Sequence, residues 1–223
     1  MAHDNKEIEV KFPLKNPEDV ISFLNSKAKK EKENDFQKDT YFTPIHRNFL
    51  SVKFPYEWLR LRESAKGLIL NYKHFYPEDV KEIDYCDEFE TKIDNPIITK
   101  IFDSLNFKEL VTVEKIQTIW IYKEVEIAID DVKELGYFIE LEITTNCDDP
   151  KKAKEFLYEL AKEIGADIGE EDYRGYHFLL LEKKGYNFKS LQLHNNNNSV
   201  AHTEFDYSKI PNGLFHKLNN SQN

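Results

Sequence analysis

The chain has 223 residues, of which 40% are hydrophobic and 13% aromatic, so it can bury a core. Its net charge of −10 argues against broad nucleic-acid binding, and the absence of an apolar run of 18 residues argues against a transmembrane helix. The N-terminus has no signal-peptide core, and Cys86 and Cys147 stand far apart without metal-like spacing. We therefore expect a cytoplasmic protein with two free thiols, no nucleic-acid partner and no membrane association.

The N-terminal half of the chain predicts mostly strands. Residues 7–12 alternate polar and apolar side chains as a half-buried strand does, and residues 16–33 follow with helical spacing behind an Asn16-Pro17 start. Aromatic and β-branched residues predict a strand at 36–42, before a loop with prolines at both ends. The next predicted strands lie at 57–63, 68–75 and 85–93.

The C-terminal half of the body repeats this pattern. A second helix is expected after Asn95-Pro96. A hairpin that turns at Lys123-Glu124 and a strand with the sequence YFIELEIT follow it. An amphipathic helix is predicted to begin at Asp149-Pro150 and to end at Gly165. The sequence YRGYHFLLLEK at 173–183 is interpreted as a closing strand.

The composition changes after Lys184. Residues 185–223 contain four consecutive asparagines at 195–198 and few apolar side chains. Such a stretch buries too little apolar surface to offset the entropy lost on ordering. We therefore predict one folded domain at residues 1–184 and a polar, Asn-rich C-terminal tail at 185–223 that is largely disordered.

Several predicted strands place charged or polar residues at positions i and i+2, with apolar residues on the opposite face. The first strand places Glu7, Glu9 and Lys11 on one face, with Ile8 and Val10 opposite. The polar faces of the later strands carry Arg60, Arg62, Asn71, Lys73, Lys115, Gln117, Asp130, Glu140 and Glu142. One such face alone describes an ordinary solvated sheet, but the recurrence indicates a shared polar surface.

This charge pattern favours a particular chemistry. Two carboxylates two residues apart repel each other by roughly 2–3 kcal/mol at an effective dielectric of about 20, and a bound divalent cation would reverse that repulsion. Paired Arg and Lys side chains match phosphate oxygens. The amphipathic helices need apolar surfaces, which the opposite faces of the strands provide. The simplest assembly is a closed or nearly closed antiparallel sheet with a charged lumen, suited to a metal-bound polyphosphate.

Several motifs occur in one order along residues 5–183. They are Glu-x-Glu-x-Lys at 7–11, DTYF at 39–42, HRNF at 46–49, LRLRE at 59–63, NYK at 71–73, EFETKI at 88–93, AIDDVKELGYFIELE at 128–142 and RGYHFLLL at 174–181. Together they resemble the CYTH family, also called triphosphate tunnel metalloenzymes, which includes class IV adenylyl cyclases and thiamine triphosphatases. The first motif alone would be weak, because charged strands are common.

The resemblance implies an α+β fold: an eight-stranded antiparallel β-barrel, the triphosphate tunnel, with a charged lumen and flanking helices. It implies Mg²⁺ or Mn²⁺ as cofactor, with two ions, and it is compatible with a homodimer. The implied metal ligands are Glu7, Glu9, Asp130, Glu140 and Glu142. The implied phosphate-binding residues are Lys11, Arg60, Arg62, Lys73, Lys115, Gln117 and Arg174. The implied catalytic residues are Glu7, Glu9, Lys11 and Tyr176.

Two positions depart from the family pattern. Gln117 stands where the family usually has an arginine, so it can hydrogen-bond a phosphate but adds no charge. Met1-Ala2 stand where some bacterial class IV cyclases carry a His-Phe pair. The leading hypothesis is conversion of ATP to cyclic AMP and pyrophosphate. A triphosphatase acting on thiamine triphosphate, inorganic triphosphate or a nucleotide is the alternative, and a non-catalytic triphosphate-binding module is the third.

Overall fold

A computed structural model describes residues 8–78, 85–143, 150–171, 175–186 and 188. Two predicted site residues, Glu7 and Arg174, lie outside these ranges, as does Cys147. The predicted tail lies almost wholly outside them, so its disorder stays a prediction. No helix within the described residues is long and apolar enough to cross a membrane.

The described residues form one antiparallel sheet with helices. The strands are β1 (Ile8–Pro13), β2 (Lys29–Pro44), β3 (Glu57–Ser64), β4 (Gly67–Tyr76), β5 (Tyr85–Ile93), β6 (Phe107–Tyr122), β7 (Val125–Val132) and β8 (Gly136–Ile143). The helices are α1 (Pro17–Lys27), α2 (Ile98–Ser104), α3 (Pro150–Glu163) and α4 (Tyr176–Lys183). The eight strands lie in the order β1-β8-β7-β6-β2-β3-β4-β5. The predicted eight-stranded antiparallel sheet with flanking helices is confirmed.

Alternate residues of the strands give the sheet two different faces. We call the face that carries Glu9, Asp39, Arg60, Asp130 and Glu140 the interior face. The opposite face of β1, β7 and β8 packs against α1 and α3 and forms the largest apolar cluster. Around β3, the opposite face packs against Phe102 of α2. The sidedness expected from the sequence is therefore present, with the helices α1, α2 and α3 covering the apolar face.

The sheet curls around α4, which packs on the interior face. Lys11 of β1 lies over the Tyr176 ring at 5.1 Å, and Trp58 of β3 contacts the His177 ring at 4.2 Å between centroids. Five strand-to-strand steps separate β1 from β3, about 24 Å in a flat sheet. Two consecutive residues of one helix reach both strands only because the sheet is strongly curved. Hydrogen bonds between β1 and β5 do not close the described sheet.

The prediction of a closing strand at 173–183 is wrong, because Tyr176–Lys183 form the helix α4. Tyr176, Leu180 and Leu181 are all buried, the spacing of one helical face. A short apolar run cannot by itself distinguish a buried strand from a buried helix. Here the curved sheet already supplies eight strands, and the apolar run is buried against its interior face.

The extension of the first helix to residue 33 is also wrong. Helix α1 ends at Lys27, and residues 29–33 open the long strand β2. Lys30 pairs with Trp120 of β6, and its ammonium lies 5.8 Å from the Trp120 ring centroid. Register shifts follow at Lys32, and Asn34 adopts a φ of 50°. The pairing with β6 overrides the helical propensity of the lysines and glutamates.

The placement of α4 predicts the result of three alanine substitutions. Leu180→Ala and Leu181→Ala should each destabilise the fold by about 2–5 kcal/mol, because both side chains are buried. Leu179→Ala should cost less, because Leu179 is only partly buried. Urea denaturation of the three variants measures the differences. Equal losses for Leu179→Ala and Leu181→Ala with no loss for Leu180→Ala would indicate a strand and contradict the helix.

Candidate functional site

Strand β1 has one apolar face and one charged face. Ile8, Val10 and Phe12 belong to the largest apolar cluster, whereas Glu9 and Lys11 project from the interior face. In register with them, Glu9 pairs with Glu142 and Lys11 pairs with Glu140 on the neighbouring strand β8. The charged residues of the two strands therefore meet on one side of the sheet.

Three of the five predicted metal ligands lie together on this face. Carboxylate oxygens of Glu9, Glu140 and Glu142 all lie within 4.8 Å of one another. Carboxylates opposite each other on neighbouring strands are destabilising unless a positive charge compensates them. A set of three carboxylates at this separation can coordinate a hard divalent cation. All three residues lie on the interior face of β1 and β8, so the pairing of these two strands brings them together.

Lys11 supplies a positive charge next to these carboxylates. Its ammonium lies 2.6 Å from a Glu140 oxygen. Burial alone would lower the pKa of Lys11, but the ion pair with Glu140 outweighs burial, and Glu9 and Asp130 add smaller contributions, so the pKa is raised. Lys11 thus places a positive charge at the Glu140 end of the carboxylate cluster.

Asp130, the fourth predicted metal ligand within the described residues, is held by two other predicted site residues. Its side chain is 1% exposed, and Oδ2 accepts hydrogen bonds from Lys115 Nζ at 2.8 Å and from the Tyr176 hydroxyl at 2.7 Å. Its Oδ1 is buried and has no hydrogen-bond partner. Asp130 therefore connects β7, β6 and α4, and it presents one unsatisfied oxygen on the interior face.

Two of the three predicted phosphate-binding arginines, Arg60 and Arg62, share one carboxylate, Asp39 of β2. Arg62 donates from Nε at 2.7 Å and from Nη2 at 2.6 Å, and a nitrogen of Arg60 lies 3.5 Å from Asp39 Oδ2. Burial would lower the pKa of Arg62, but the bonds to Asp39 raise it. The sequence assigns Asp39 no role, although its place in DTYF on a strand of period two was a usable signal.

Lys73 occupies the same face on β4. Its ammonium lies 3.1 Å from a Glu88 oxygen, and the Asn71 amide donates to the same carboxylate at 2.6 Å. Burial would raise the pKa of Glu88, but the bonds from Asn71 and Lys73 lower it. Each phosphate-binding cation predicted within the described residues therefore has a carboxylate neighbour on the interior face.

Gln117 lies between two acidic residues of the neighbouring strands. It pairs in register with Asp35 and Asp130, and its Oε1 accepts a hydrogen bond from Gln37 Nε2 at 3.1 Å. The same Gln37 amide donates to Asp35 at 2.8 Å. At this place the amide of Gln37 links Gln117 to the Asp35 carboxylate, and the phosphate-binding role of Gln117 stays a prediction.

Four buried side-chain atoms in the described part of the chain have no hydrogen-bond partner. They are Gln37 Oε1, Arg60 Nε, Asp130 Oδ1 and His177 Nε2. Buried polar atoms are nearly always satisfied in folded proteins, and each exception calls for a reason. The first three lie on the interior face of β2, β3 and β7, and the fourth belongs to α4, which packs on that face. This concentration indicates that the interior face is built to meet a polar molecule.

Two further residues on this face were not identified from the sequence. Glu126 of β7 pairs in register with Glu142, and burial followed by the charge of Glu140 raises the pKa of Glu126. His177 follows the predicted Tyr176 in α4. Glu126 could have been found from its period-two relation to Asp130, whereas His177 could not, because its segment was interpreted as a strand.

Comparison with known proteins shows the family. The sequence matches the CYTH domain over residues 5–176, and the chain belongs to the CYTH family. A Methanocaldococcus jannaschii protein named "putative adenylate cyclase" is 32% identical over 160 residues, which cover 71% of this chain and 89% of that protein.

Solved structures share the fold. A Pyrococcus horikoshii protein is 26% identical and superposes with a TM-score of 0.61, covering 79% of this chain and 99% of its own. A Hippeastrum protein described as a putative adenylyl cyclase with a dominant triphosphatase activity is 18% identical, with a TM-score of 0.54 and coverage of 80% and 96%. At that identity the second likeness shows the fold alone.

Proposed function

We propose that this protein is a divalent-metal-dependent enzyme that acts on a triphosphate, and that the reaction is conversion of ATP to cyclic AMP and pyrophosphate. The observation that carries the proposal is the meeting of Glu9, Glu140 and Glu142 within 4.8 Å, beside Lys11. Basic residues of β3, β4 and β6 lie on the same interior face. Membership of the CYTH family and the name of the Methanocaldococcus relative support the choice of substrate.

The donors at the carboxylate cluster fit Mg²⁺ or Mn²⁺. Both ions favour carboxylate oxygens, and Glu9, Glu140 and Glu142 would hold one. The bound ion would act as a Lewis acid that favours ionisation of the attacking hydroxyl and neutralises phosphate charge. The second ion and the metal-binding roles of Glu7 and Asp130 stay predictions.

The chain's own residues would bind and neutralise the triphosphate. Lys11, Arg60 and Lys73 would exchange their carboxylate neighbours for phosphate oxygens, since phosphate and carboxylate compete for the same donors. In the cyclase reaction the ribose 3′-oxygen bonds to the α-phosphorus. The bond from that phosphorus to the bridging oxygen breaks, pyrophosphate leaves, and the hydroxyl proton passes to water. Fixed cations around the phosphates stabilise the charge that develops on the leaving group.

The second candidate function is hydrolysis of a triphosphate. In that reaction water attacks the terminal phosphorus, and the same cations and carboxylates serve. The Hippeastrum protein supports this alternative, because its description joins a cyclase name to a dominant triphosphatase activity on the same fold. The uncharged Gln117 motivates the third candidate, a triphosphate-binding module without turnover.

Product analysis separates these candidates. Purified protein is incubated with ATP, thiamine triphosphate or inorganic triphosphate, each with Mg²⁺, with Mn²⁺ or with EDTA, and products are separated by anion-exchange chromatography. Cyclic AMP together with pyrophosphate, formed only with metal, is the expected result. Orthophosphate without cyclic AMP would instead establish a triphosphatase, and the best substrate would identify it. Binding of ATP without any product would favour the binding module.

A further inference from the structure

His177 is a histidine of α4 that the sequence did not assign to the site. Its ring stacks on Tyr41 at 4.4 Å between centroids with an interplanar angle of 22°, and it meets Trp58 edge-on at 4.2 Å. Phe178 contacts it at 4.9 Å. These aromatic contacts from β2, β3 and α4 hold the imidazole in one orientation on the interior face.

The surroundings of His177 are cationic and keep it neutral. Burial is the main cause, and the charges of Arg60, Lys11 and Lys73 add to it, so the pKa of His177 falls to about 3. Those three cations come from β3, β1 and β4, which lie towards opposite edges of the curved sheet. All three are residues to which the proposed function assigns phosphate binding. His177 therefore stands where these phosphate-binding groups converge.

One nitrogen of His177 lacks a partner. Nε2 is buried and makes no hydrogen bond, and the same holds for Nε of the neighbouring Arg60. A buried polar atom without a partner costs roughly 1–3 kcal/mol, so such atoms are retained where a function needs them. Nε2 is a donor in the tautomer that carries its proton there. Both atoms are buried from solvent without gaining a hydrogen-bond partner in the protein. A phosphate oxygen would be a suitable partner for either atom.

We propose that His177 is a further substrate-binding residue, whose neutral imidazole donates a hydrogen bond from Nε2 to a phosphate oxygen of the triphosphate. The inference rests on the proposed function for the substrate class. Access to Nε2 would require a shift of its neighbours, and the exchange of Asp39 for phosphate at Arg60 would contribute to that shift. Arg60 lies 3.5 Å from Asp39, whereas Arg62 makes two bonds of 2.6–2.7 Å to the same carboxylate. Arg60 therefore makes the weaker ion pair with Asp39, and it also hydrogen-bonds the Tyr41 side chain.

A neutral donor and a cation differ in their response to salt. Cation–phosphate attraction weakens as ionic strength rises, while a short neutral hydrogen bond responds little. Inorganic tripolyphosphate with Mg²⁺ is therefore titrated calorimetrically into wild type, His177→Phe, His177→Gln and Lys11→Met at several salt concentrations. His177→Phe should raise the Kd about tenfold without changing its salt dependence. His177→Gln keeps a neutral donor and should stay closer to wild type. Lys11→Met should reduce the salt dependence.

His46, exposed on a 3-10 turn at Ile45–Arg47, provides the matched control, and His46→Phe should bind as wild type does. Should His177→Phe fail to fold, nitrogen-15 NMR of histidine-labelled wild type replaces it, with the His177 Nε2 resonance expected to move on adding tripolyphosphate. Unchanged affinity in His177→Phe, or an unmoved resonance, overturns the inference. Tripolyphosphate binding that depends on His177, without turnover of any triphosphate, would uphold it and refute the enzyme. Absence of triphosphate binding in wild type would refute both.

Discussion

A Glu142→Gln variant is expected to fold normally and to lose metal-dependent turnover by on the order of 100-fold to 1,000-fold. Glu142 belongs to the carboxylate cluster with Glu9 and Glu140, and the substitution removes one of its charges without changing side-chain size. The expected loss is larger in Mg²⁺-limited assays, because the affinity for the ion falls. The measurement is the initial rate of product formation against Mg²⁺ concentration, with circular dichroism to confirm the fold.

The control for this substitution is Asp131→Asn on β7. Asp131 is exposed on the face opposite its neighbour Asp130, so removing its charge should leave the rate within about twofold. Wild-type metal dependence in Glu142→Gln, with the fold intact, would show that the carboxylate cluster does not hold the catalytic ion. The same result in Glu9→Gln as well would remove the basis of the proposed function.

Lys115→Met is expected to destabilise the fold by about 3–5 kcal/mol, the usual effect of breaking a buried ion pair from one side. Asp130 is 1% exposed and Lys115 is 11% exposed, and their atoms approach to 2.8 Å. The methionine keeps the apolar stem of the lysine but leaves the Asp130 carboxylate with Tyr176 as its remaining hydrogen-bond donor among those described here. Urea denaturation, analysed by linear extrapolation, measures the loss.

Two companion variants test the reason for this loss. Lys133→Met removes an exposed cation that pairs with Glu114 at 2.7 Å, and it should cost much less, because water and salt screen an exposed ion pair. The double variant Lys115→Met/Asp130→Asn removes both charges and should recover most of the stability lost in the single variant. A small loss in Lys115→Met, similar to that of Lys133→Met, would mean that water compensates Asp130.

The expected losses of turnover and of stability both come from charged residues of the interior face. Its predicted phosphate-binding cations are paired with Glu140, Asp39, Glu88 and Asp130, so a carboxylate of the protein compensates each of them. A triphosphate would exchange these partners, and a divalent cation would take the carboxylates that it frees. Stability and substrate binding therefore depend on the same side chains, and variants of this face require a measurement of each.

The alternation of side chains along a strand depends only on the local backbone, so the sequence predicts which residues share a face. A period of two places Glu9 and Lys11 on one face of β1 and Ile8 and Val10 on the other, whatever the strand pairs with. The same rule aligned Arg60 with Arg62 and Glu140 with Glu142. The turn at Lys123-Glu124, where both residues have positive φ, was likewise readable from the short spacing between two strands. The motif order then indicated the family.

Elements that depend on distant partners were decided by the tertiary structure. Residues 29–33 have helix-forming side chains, yet they pair with β6, whose partner positions lie about ninety residues away. The apolar residues within 173–183 fit a buried strand as well as a buried helix. In the tertiary structure Tyr176–Lys183 form a helix, and this helix buries Tyr176 and Leu181 against the curved sheet.

The site divides in the same way. Its charges and their faces follow from the sequence, because alternation along a strand follows from local backbone geometry. The pairing of Arg62 with Asp39, the burial of Asp130 under Lys115 and Tyr176, and the position of His177 among three cations do not follow from it. These contacts join strands and a helix that are remote in sequence. They arise only when the sheet curls and brings its interior residues within a few ångströms.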